Sequence, residues 1–338
     1  MTKIEQLLSV IDNDLVYIQT HNYPDQDALA TAHGLKLLLE HYGKKAIVCY
    51  KGAIDKANTL QMISLLQLNI VPADTIEFSA SDETILVDCQ QGNSNVKSYC
   101  GTVIACIDHH KKQETSNYRF HDIRPECGAC ASIIASYYLE SDIPISKLLA
   151  TTFTYAIRMD TNCLNRHVSD LDLKLYSTLY KKSDIGILSQ LDSCTMKLQD
   201  LQIYYHAIEN LRFCHTMALL DLGDDCSEAI MGQISDFMLT LEEVDIIVSH
   251  SFRDNGIKFT VRSSCKDLDA SEVVRAALNE LGDGGGHPSM AAGFIPGINN
   301  PSAAHTVSKV AEKQAITFVC NAMHWNDKIY SKRKQIVR

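Results

Sequence analysis

The chain has 338 residues, of which 46% are hydrophobic and 21% are charged. This length favours two domains, and the composition is too apolar for a disordered chain. With 31 Lys and Arg residues against 41 Asp and Glu residues, the formal net charge is -10. Because proteins bind long nucleic acid by neutralising many phosphates, this balance argues against a long nucleic-acid partner. A nucleic-acid ligand would have to be short or bound in one local pocket.

The sequence also predicts the compartment. It contains no run of about 18 apolar residues, so we expect neither a membrane span nor a membrane partner. Near the N-terminus, Glu5, Asp12 and Asp14 interrupt what would be the apolar core of a signal peptide. That segment is more typical of an amphipathic helix, and we predict a cytoplasmic protein.

The predicted compartment determines the expected oxidation state of the cysteines. In the cytoplasm the 12 cysteines should be thiols rather than a disulfide framework. The close pair Cys127 and Cys130 has no second pair beside it, and a lone C-x-x-C motif is weak evidence for zinc. We interpret it as a helix start after Gly128 and assign no metal there.

The first half of the chain alternates between strand and helix patterns. Strands are predicted at Leu15–Thr20, Lys45–Tyr50, Thr84–Asp88 and Thr102–Asp108. Helices are predicted at Ala28–Tyr42, Ala129–Glu140 and Ser146–Ile157. The last two strands are apolar until they end on aspartate, which is typical of a parallel sheet buried on both faces. The order indicates a doubly wound α/β domain, in which ligands bind beyond the carboxyl ends of the strands.

The second half predicts a helical connector and then a smaller α/β domain. Residues 171–213 are mostly helical in pattern. Strands are then expected at Thr216–Asp221, Val244–Ser251 and Ile257–Ser263. Helices are expected at Ser227–Leu239, Ala270–Leu281 and, after a glycine-rich turn, Ala303–Cys320. We divide the chain into a first domain at 1–184, a connector at 185–213, a second domain at 214–325 and a basic tail at 326–338, with a cleft expected between the domains.

Acidic and histidine residues follow three predicted strands at their carboxyl ends. They are His21, Asp25, Asp27, Asp88, Asp108, His109 and His110. In a parallel sheet these ends meet at one edge. Carboxylates and imidazoles suit Mn²⁺ or Mg²⁺, and so many acids suggest two ions, an arrangement suited to in-line attack on phosphorus. A competing interpretation of Asp27 is the N-cap of the helix that starts at Ala28.

These motifs resemble those of the DHH phosphoesterase superfamily. The stretch HNYPDQD, the aspartate of LVDCQ and the run IDHH match the first three motifs, and Asp160-Thr161-Asn162 matches the fourth. Further on, GGGHPSMAAG resembles the GGGH-x-x-A-A-G motif of the DHHA1 domain. The chain departs from the pattern at Ala30-Thr31, where many members have Gly-Ser, and at Asn162, where many have glycine.

The resemblance implies two divalent ions, with Mn²⁺ preferred and Mg²⁺ as the alternative. One ion would be held by His21, Asp25 and Asp88. The other would be held by Asp27, Asp88, His109 and Asp160, so that Asp88 bridges the pair. Asp108 would orient His109, and His110 would lie beside the ions, near the phosphoryl group or the leaving oxygen.

The glycine-rich segment of the second domain is implied to bind substrate. Consecutive glycines let backbone N–H groups approach an anion, and a guanidinium suits phosphate. The expected contacts are Arg262, Ser263, Gly284, Gly285, Gly286 and His287. An ordinary glycine-rich loop without a ligand is the competing interpretation.

Among members of this family, the chain resembles the nano-RNase and linear-dinucleotide phosphodiesterase branch. This resemblance implies hydrolysis of short oligoribonucleotides or linear dinucleotides, of the pGpG or pApA type, to 5′-mononucleotides. Two enzymatic alternatives are a 3′-phosphoadenosine 5′-phosphate phosphatase and an inorganic pyrophosphatase or exopolyphosphatase. A third alternative is a catalytically silent module that binds nucleotide or tRNA. The GGGH motif argues against a pyrophosphatase, and the intact ligand set argues against a silent module. The oligomeric state stays open, with a homodimer as one option.

Overall fold

A computed structural model describes residues 1–54, 56–93, 95–96, 99–112, 117–193, 198–253 and 255–325, with the backbone of 330–331. The chain separates into two units, Met1–Thr195 and Met196–Arg338. Most of the predicted basic tail lies outside the described residues. Within the part of the chain that is described, no helix is long and apolar enough to cross a membrane.

The first unit is built on a parallel sheet of six strands. They are β1 (Leu15–Gln19), β2 (Lys45–Tyr50), β3 (Ile70–Pro72), β4 (Glu83–Val87), β5 (Thr102–Asp108) and β6 (Phe120–Ile123). Their order across the sheet is β3-β2-β1-β4-β5-β6, and neighbouring strands run parallel throughout. This confirms the doubly wound α/β prediction. The strand order reverses between β1 and β4, which is where such sheets bind ligands.

Seven α-helices belong to the described part of this unit. They are α1 (Lys3–Leu8), α2 (Gln26–His41), α3 (Ala57–Leu65), α4 (Cys130–Glu140), α5 (Lys147–Asp160), α6 (Asp170–Tyr180) and α7 (Ile185–Ser193). Helix α2 packs against α4 and α5. The α2–α5 approach is close because Gly34 faces the Phe153 ring, where a β-carbon would come within 2.4 Å. This packing fixes the start of α2 beside the end of β1.

The second unit contains a mixed sheet of seven strands. They are β7 (Arg212–Cys214), β8 (Met217–Asp224), β9 (Ile246–Arg253), β10 (Gly256–Ser263), β11 (Asp283–His287), β12 (Met290–Pro296) and β13 (Tyr330–Ser331). Their order is β11-β12-β10-β9-β8-β7-β13. The helices are α8 (Asp200–Glu209), α9 (Glu228–Met238), α10 (Ala270–Ala277) and α11 (Pro301–Met323). Two hydrophobic clusters form the core of this unit.

Helix α3 and strands β3, β6 and β12 were not predicted, and two predicted segments have a different structure. The glycine-rich turn is largely a strand, since residues 283–287 pair antiparallel with β12. The predicted helical stretch 171–213 is interrupted and ends in β7. Its helix α7 packs against α3 and α5, whereas α8 packs against β8 and α9. The predicted connector boundaries, 185 and 213, stay predictions.

Candidate metal centre

All six predicted metal ligands lie at the carboxyl edge of the first sheet or next to it. His21, Asp25 and Asp27 follow β1, Asp88 follows β4, His109 follows β5, and Asp160 ends α5. Three groups of side chains have ligand atoms within 4.8 Å of one another. They are His21 with Asp25 and Asp88, Asp88 with His109 and His110, and Asp27 with His109 and Asp160.

Asp88 belongs to the first two of these groups, and His109 joins the third group to the second. Oδ2 of Asp88 lies 3.5 Å from Nε2 of His21, and its Oδ1 lies 3.3 Å from Nε2 of His109. Asp88 is buried, and its Oδ1 has no hydrogen-bond partner among the described residues. Its backbone φ of +57° lies in the left-handed region, which aspartate tolerates better than most residues. A buried carboxylate oxygen without a donor, between two imidazoles, fits a bound cation.

Backbone carbonyl groups orient the two ligating histidines. Nδ1 of His21 lies 2.8 Å from the Asn22 carbonyl oxygen, and Nδ1 of His109 lies 3.1 Å from that of Cys127. A carbonyl oxygen only accepts hydrogen bonds, so we assign a proton to each Nδ1. Nε2 is then the atom that each ring presents to the carboxylates. This is the arrangement of a metal-ligating imidazole with an outer hydrogen-bond partner.

The charges of the site favour a cation. Burial raises the pKa of Asp27, and the charges of Asp88 and Asp160 raise it further, to well above the usual carboxyl value. Burial also raises the pKa of Asp160, to about 6, although His109 opposes the shift. Burial lowers the pKa of His21 and His109, but the carboxylates around each ring outweigh it and hold both pKa values well above normal. Crowded buried carboxylates of this kind suit divalent cations.

The segment from Cys127 to Ala131 supports the centre. Oδ2 of Asp27 accepts the Cys130 N–H at 2.6 Å, and Oδ1 accepts the Ala131 N–H at 2.9 Å. Helix α4 begins at Cys130, as the helix-start interpretation of the C-x-x-C motif predicts. Burial raises the pKa of both cysteine thiols, that of Cys127 to about 11, as expected for thiols in apolar surroundings. The side chain that caps α2 is Asp25, not Asp27.

Asp108 contacts the ring of His110 rather than that of His109. Its Oδ1 lies 2.9 Å from Nδ1 of His110 and accepts the backbone N–H of His109 at 2.8 Å. The expectation that Asp108 orients the His109 ring is therefore corrected, because the Cys127 carbonyl is the partner of that ring. Buried Gln90, which the sequence analysis missed, donates to Oδ2 of Asp108 at 2.7 Å.

In the second unit, Arg262 and His287 lie on one face of the sheet. Both are in register with Met290, which lies on the strand between them. Directly paired residues of neighbouring strands lie on the same face of a sheet, so the side chains of Arg262 and His287 share one face, with Met290 on the strand between them. Nε of Arg262 donates to Asp236 Oδ1 at 2.7 Å.

The remaining predicted substrate contacts differ among themselves. Ser263 is buried and its hydroxyl donates to the Leu268 carbonyl at 3.1 Å, so its side chain is used inside the unit. Gly284 and Gly285 are half-buried on β11, the edge strand, and Gly286 is exposed. A β-carbon on Gly285 would meet no described atom within 4 Å, which indicates open space beside that strand.

Comparison with known proteins agrees with this geometry. Residues 15–157 match the N-terminal domain of the DHH family, and residues 211–313 match the DHHA1 domain. The chain belongs to the DHH–DHHA1 superfamily. Members of the DHH family are metal-dependent phosphoesterases.

Two curated proteins are similar in sequence to this DHH–DHHA1 chain. An uncharacterized protein from Methanocaldococcus jannaschii is 29% identical over 280 residues, which is 82% of this chain and 57% of the relative. A manganese-dependent inorganic pyrophosphatase from Methanothrix thermoacetophila is 28% identical over 152 residues, which is 44% of this chain and 48% of the pyrophosphatase. The chain thus spans about half the length of these curated relatives.

A solved structure shares the fold over almost the whole chain. It is an exopolyphosphatase-related protein from Bacteroides fragilis, 19% identical, with a TM-score of 0.75. The match covers 95% of this chain and 97% of that one. At this identity the likeness establishes the fold alone.

Proposed function

We propose that this protein is a metal-dependent phosphodiesterase that hydrolyses short oligoribonucleotides or linear dinucleotides, of the pGpG or pApA type, to 5′-mononucleotides. The observation that carries the proposal is the position of Asp88, whose two carboxylate oxygens face two different histidines. A carboxylate placed in this way can be shared by two ions, as two-metal phosphoryl-transfer sites require.

The ligand sets follow from the same contacts. One ion would be held by His21, Asp25 and Asp88, and the other by Asp27, Asp88, His109 and Asp160. Oxygen and imidazole donors favour Mn²⁺, with Mg²⁺ as the alternative. When bound, the ions would supply an activated water and stabilise the negative charge on the phosphoryl oxygens.

His110 has a separate role in this proposal. Asp108 holds its Nδ1, so Nε2 is the ring atom that can exchange a proton with a substrate. We assign His110 to protonation of the departing oxygen, with Asp108 fixing the ring. Gln90 in turn holds Asp108.

The second unit is proposed to bind the part of the substrate away from the scissile bond. Arg262 and His287 supply side-chain donors from one sheet face, and Gly284–Gly286 supply backbone N–H groups from the edge strand. Ser263 is left out because its hydroxyl is used internally. Residues 211–313 match the DHHA1 domain, whose GGGH motif is the reason why the sequence analysis prefers a nucleotide to pyrophosphate.

Inorganic pyrophosphate hydrolysis is the second candidate. The similarity to a manganese-dependent pyrophosphatase over 152 residues favours it. Phosphodiester and pyrophosphate hydrolysis need the same metal chemistry, so the metal centre does not separate them.

A substrate panel decides between these activities. We would incubate the protein with pGpG, pApA, an RNA 10-mer, 3′-phosphoadenosine 5′-phosphate, pyrophosphate and polyphosphate, each with Mn²⁺ and with EDTA. We expect Mn²⁺-dependent release of mononucleotides, with kcat/KM at least about tenfold higher for the dinucleotides than for the 10-mer, a difference of about 1.4 kcal/mol. Pyrophosphate as the best substrate would replace the proposal with its alternative.

A further inference from the structure

Tyr23 is an exposed aromatic residue inside the loop that carries the metal ligands. It lies between His21 and Asp25, and 66% of its surface is accessible. Its backbone φ of +59° is in the left-handed region, where aromatic residues are uncommon. Such strain persists only where the surroundings fix it, and it is concentrated at binding sites.

Backbone contacts hold Tyr23 in this conformation. Its N–H donates to the Lys51 carbonyl at 2.9 Å, and the N–H of Asn22 donates to the Asn95 carbonyl at 2.9 Å. The ring lies against Gly52, where a β-carbon would come within 2.8 Å of Cδ1 and Cε1. Gly52 has a φ of +79°, so glycine suits this position both in conformation and in space. The ring thus packs against the backbone at Gly52, while most of its surface stays accessible.

We propose that Tyr23 stacks against the nucleobase of the nucleotide whose phosphate binds at the metal centre. This inference rests on the proposed function and makes it more specific, because it assigns a base-binding surface to the catalytic unit itself. An aromatic ring that is fixed in advance loses little conformational freedom on stacking. Stacking is tolerant of sequence because every base has a π-face, so Tyr23 should favour nucleotides over inorganic phosphates without selecting one base.

The test compares Tyr23→Ala with Tyr23→Phe, which keeps the ring. Tyr42→Ala is the matched control, since Tyr42 is 40% exposed and follows the far end of the 16-residue helix α2. That end is about 24 Å from the metal-ligand loop. Calorimetry on the Mn²⁺-loaded protein would measure the affinity for 5′-GMP and, separately, for inorganic phosphate. Steady-state kinetics with pGpG would follow on the same samples.

We expect Tyr23→Ala to weaken 5′-GMP binding about tenfold and to raise KM for pGpG by a similar factor. Phosphate affinity and the number of bound Mn²⁺ ions should not change. Tyr23→Phe and Tyr42→Ala should stay within about twofold of the wild type. If Tyr23→Ala unfolds, Tyr23→Leu keeps an apolar contact with Gly52 and repeats the test without a ring.

The outcomes separate this inference from the proposed function. Unchanged 5′-GMP affinity in Tyr23→Ala, or an equal loss of affinity for 5′-GMP and phosphate, overturns the stacking role. If the wild type does not hydrolyse pGpG but binds 5′-GMP with the expected dependence on Tyr23, the proposed function fails and the stacking role stands. If the wild type binds no 5′-GMP, the stacking role fails whatever the turnover.

Discussion

The carboxylate of Asp27 accepts the backbone N–H of Cys130 at 2.6 Å, so a predicted metal ligand also caps helix α4. The helix N-terminus directs its partial positive charge at this carboxylate. Each oxygen of Asp27 accepts one backbone hydrogen bond and keeps a second lone pair. The side chain is therefore fixed by protein contacts and can still bind a cation.

We predict that Gly128→Ala disrupts this contact. A β-carbon at Gly128 would come within 2.2 Å of the His167 carbonyl oxygen and 2.7 Å of a Thr161 methyl group. The clash should displace the Cys127–Ala131 segment, lowering the free energy of unfolding by about 3 kcal/mol and Mn²⁺ affinity by at least about tenfold. Chemical denaturation and metal titration would measure these effects. In the control Gly186→Ala, on α7, the nearest atom is an Asp184 side-chain oxygen at 3.2 Å, and both quantities should be unchanged.

Asp88→Ala should abolish turnover and lower the number of bound Mn²⁺ ions while the fold is kept. The physical reason is the loss of the carboxylate that faces both His21 and His109. Metal analysis after gel filtration and circular dichroism would measure the two effects. Exposed Asp74 offers a control substitution, Asp74→Ala, which should behave as the wild type. Normal activity of Asp88→Ala at saturating Mn²⁺ would contradict the two-metal assignment.

His110→Ala should separate chemistry from metal binding. Removing a positioned acid typically costs about 10²–10⁴-fold in rate. We therefore expect a fall of that size in kcat with the Mn²⁺ content unchanged, whereas His109→Ala should lose metal. Equal metal loss in the two variants would mean that their roles are wrongly assigned.

Acid should destabilise the second unit through Glu312. This residue is buried, and burial disfavours its charge. Hydrogen bonds from His250 and Arg212 outweigh burial and hold the pKa of Glu312 far below its usual value. The pKa of Glu312 is therefore lower in the folded than in the unfolded protein. The ionised carboxylate stabilises the fold at pH values above the unfolded pKa of about 4.3, and this stabilisation is lost as the pH falls below that value.

Glu312→Gln measures this contribution. The variant leaves Arg212 beside an uncharged partner, so it should be about 3 kcal/mol less stable than the wild type at pH 7. The difference should shrink as the pH is lowered from 5 towards 3, because the unfolded wild type takes up a proton on Glu312 in that range while the folded protein keeps the carboxylate. Urea unfolding at several pH values would show this. A difference that stays constant across that range would exclude the ion-pair explanation.

Much of the first unit follows from the sequence because apolar strands and their polar ends are local signals. The bounds of β2 and β5 agree with the prediction, and the ligands that follow β1, β4 and β5 meet at one sheet edge. The edge strands β3 and β6 were missed, since runs of 3 and 4 residues carry little periodicity. Strand β11 was predicted as a turn because glycine disfavours strands, and its pairing with β12 overrides that preference.

The supporting contacts could not be predicted in the same way. The partners of the ligating rings are main-chain carbonyl groups, which have no side-chain signature. Gln90 has no spacing that marks it as a partner of Asp108. The asparagine at position 162, where many members of the family have glycine, can in contrast be explained physically. Its φ is +47°, a conformation that glycine adopts freely and asparagine tolerates, so the turn after α5 is kept.

Because main-chain carbonyl groups orient His21 and His109, the side chains at positions 22 and 127 contribute nothing chemically to that orientation. A substitution there that keeps the path of the backbone would leave both rings aimed at Asp88. Position 22 is half-buried and has room for a small polar substitution such as Asn22→Ser, whereas buried Cys127 could be replaced only by an isosteric residue such as serine. Metal affinity would then stay unchanged although a residue next to each ligand loop had been replaced.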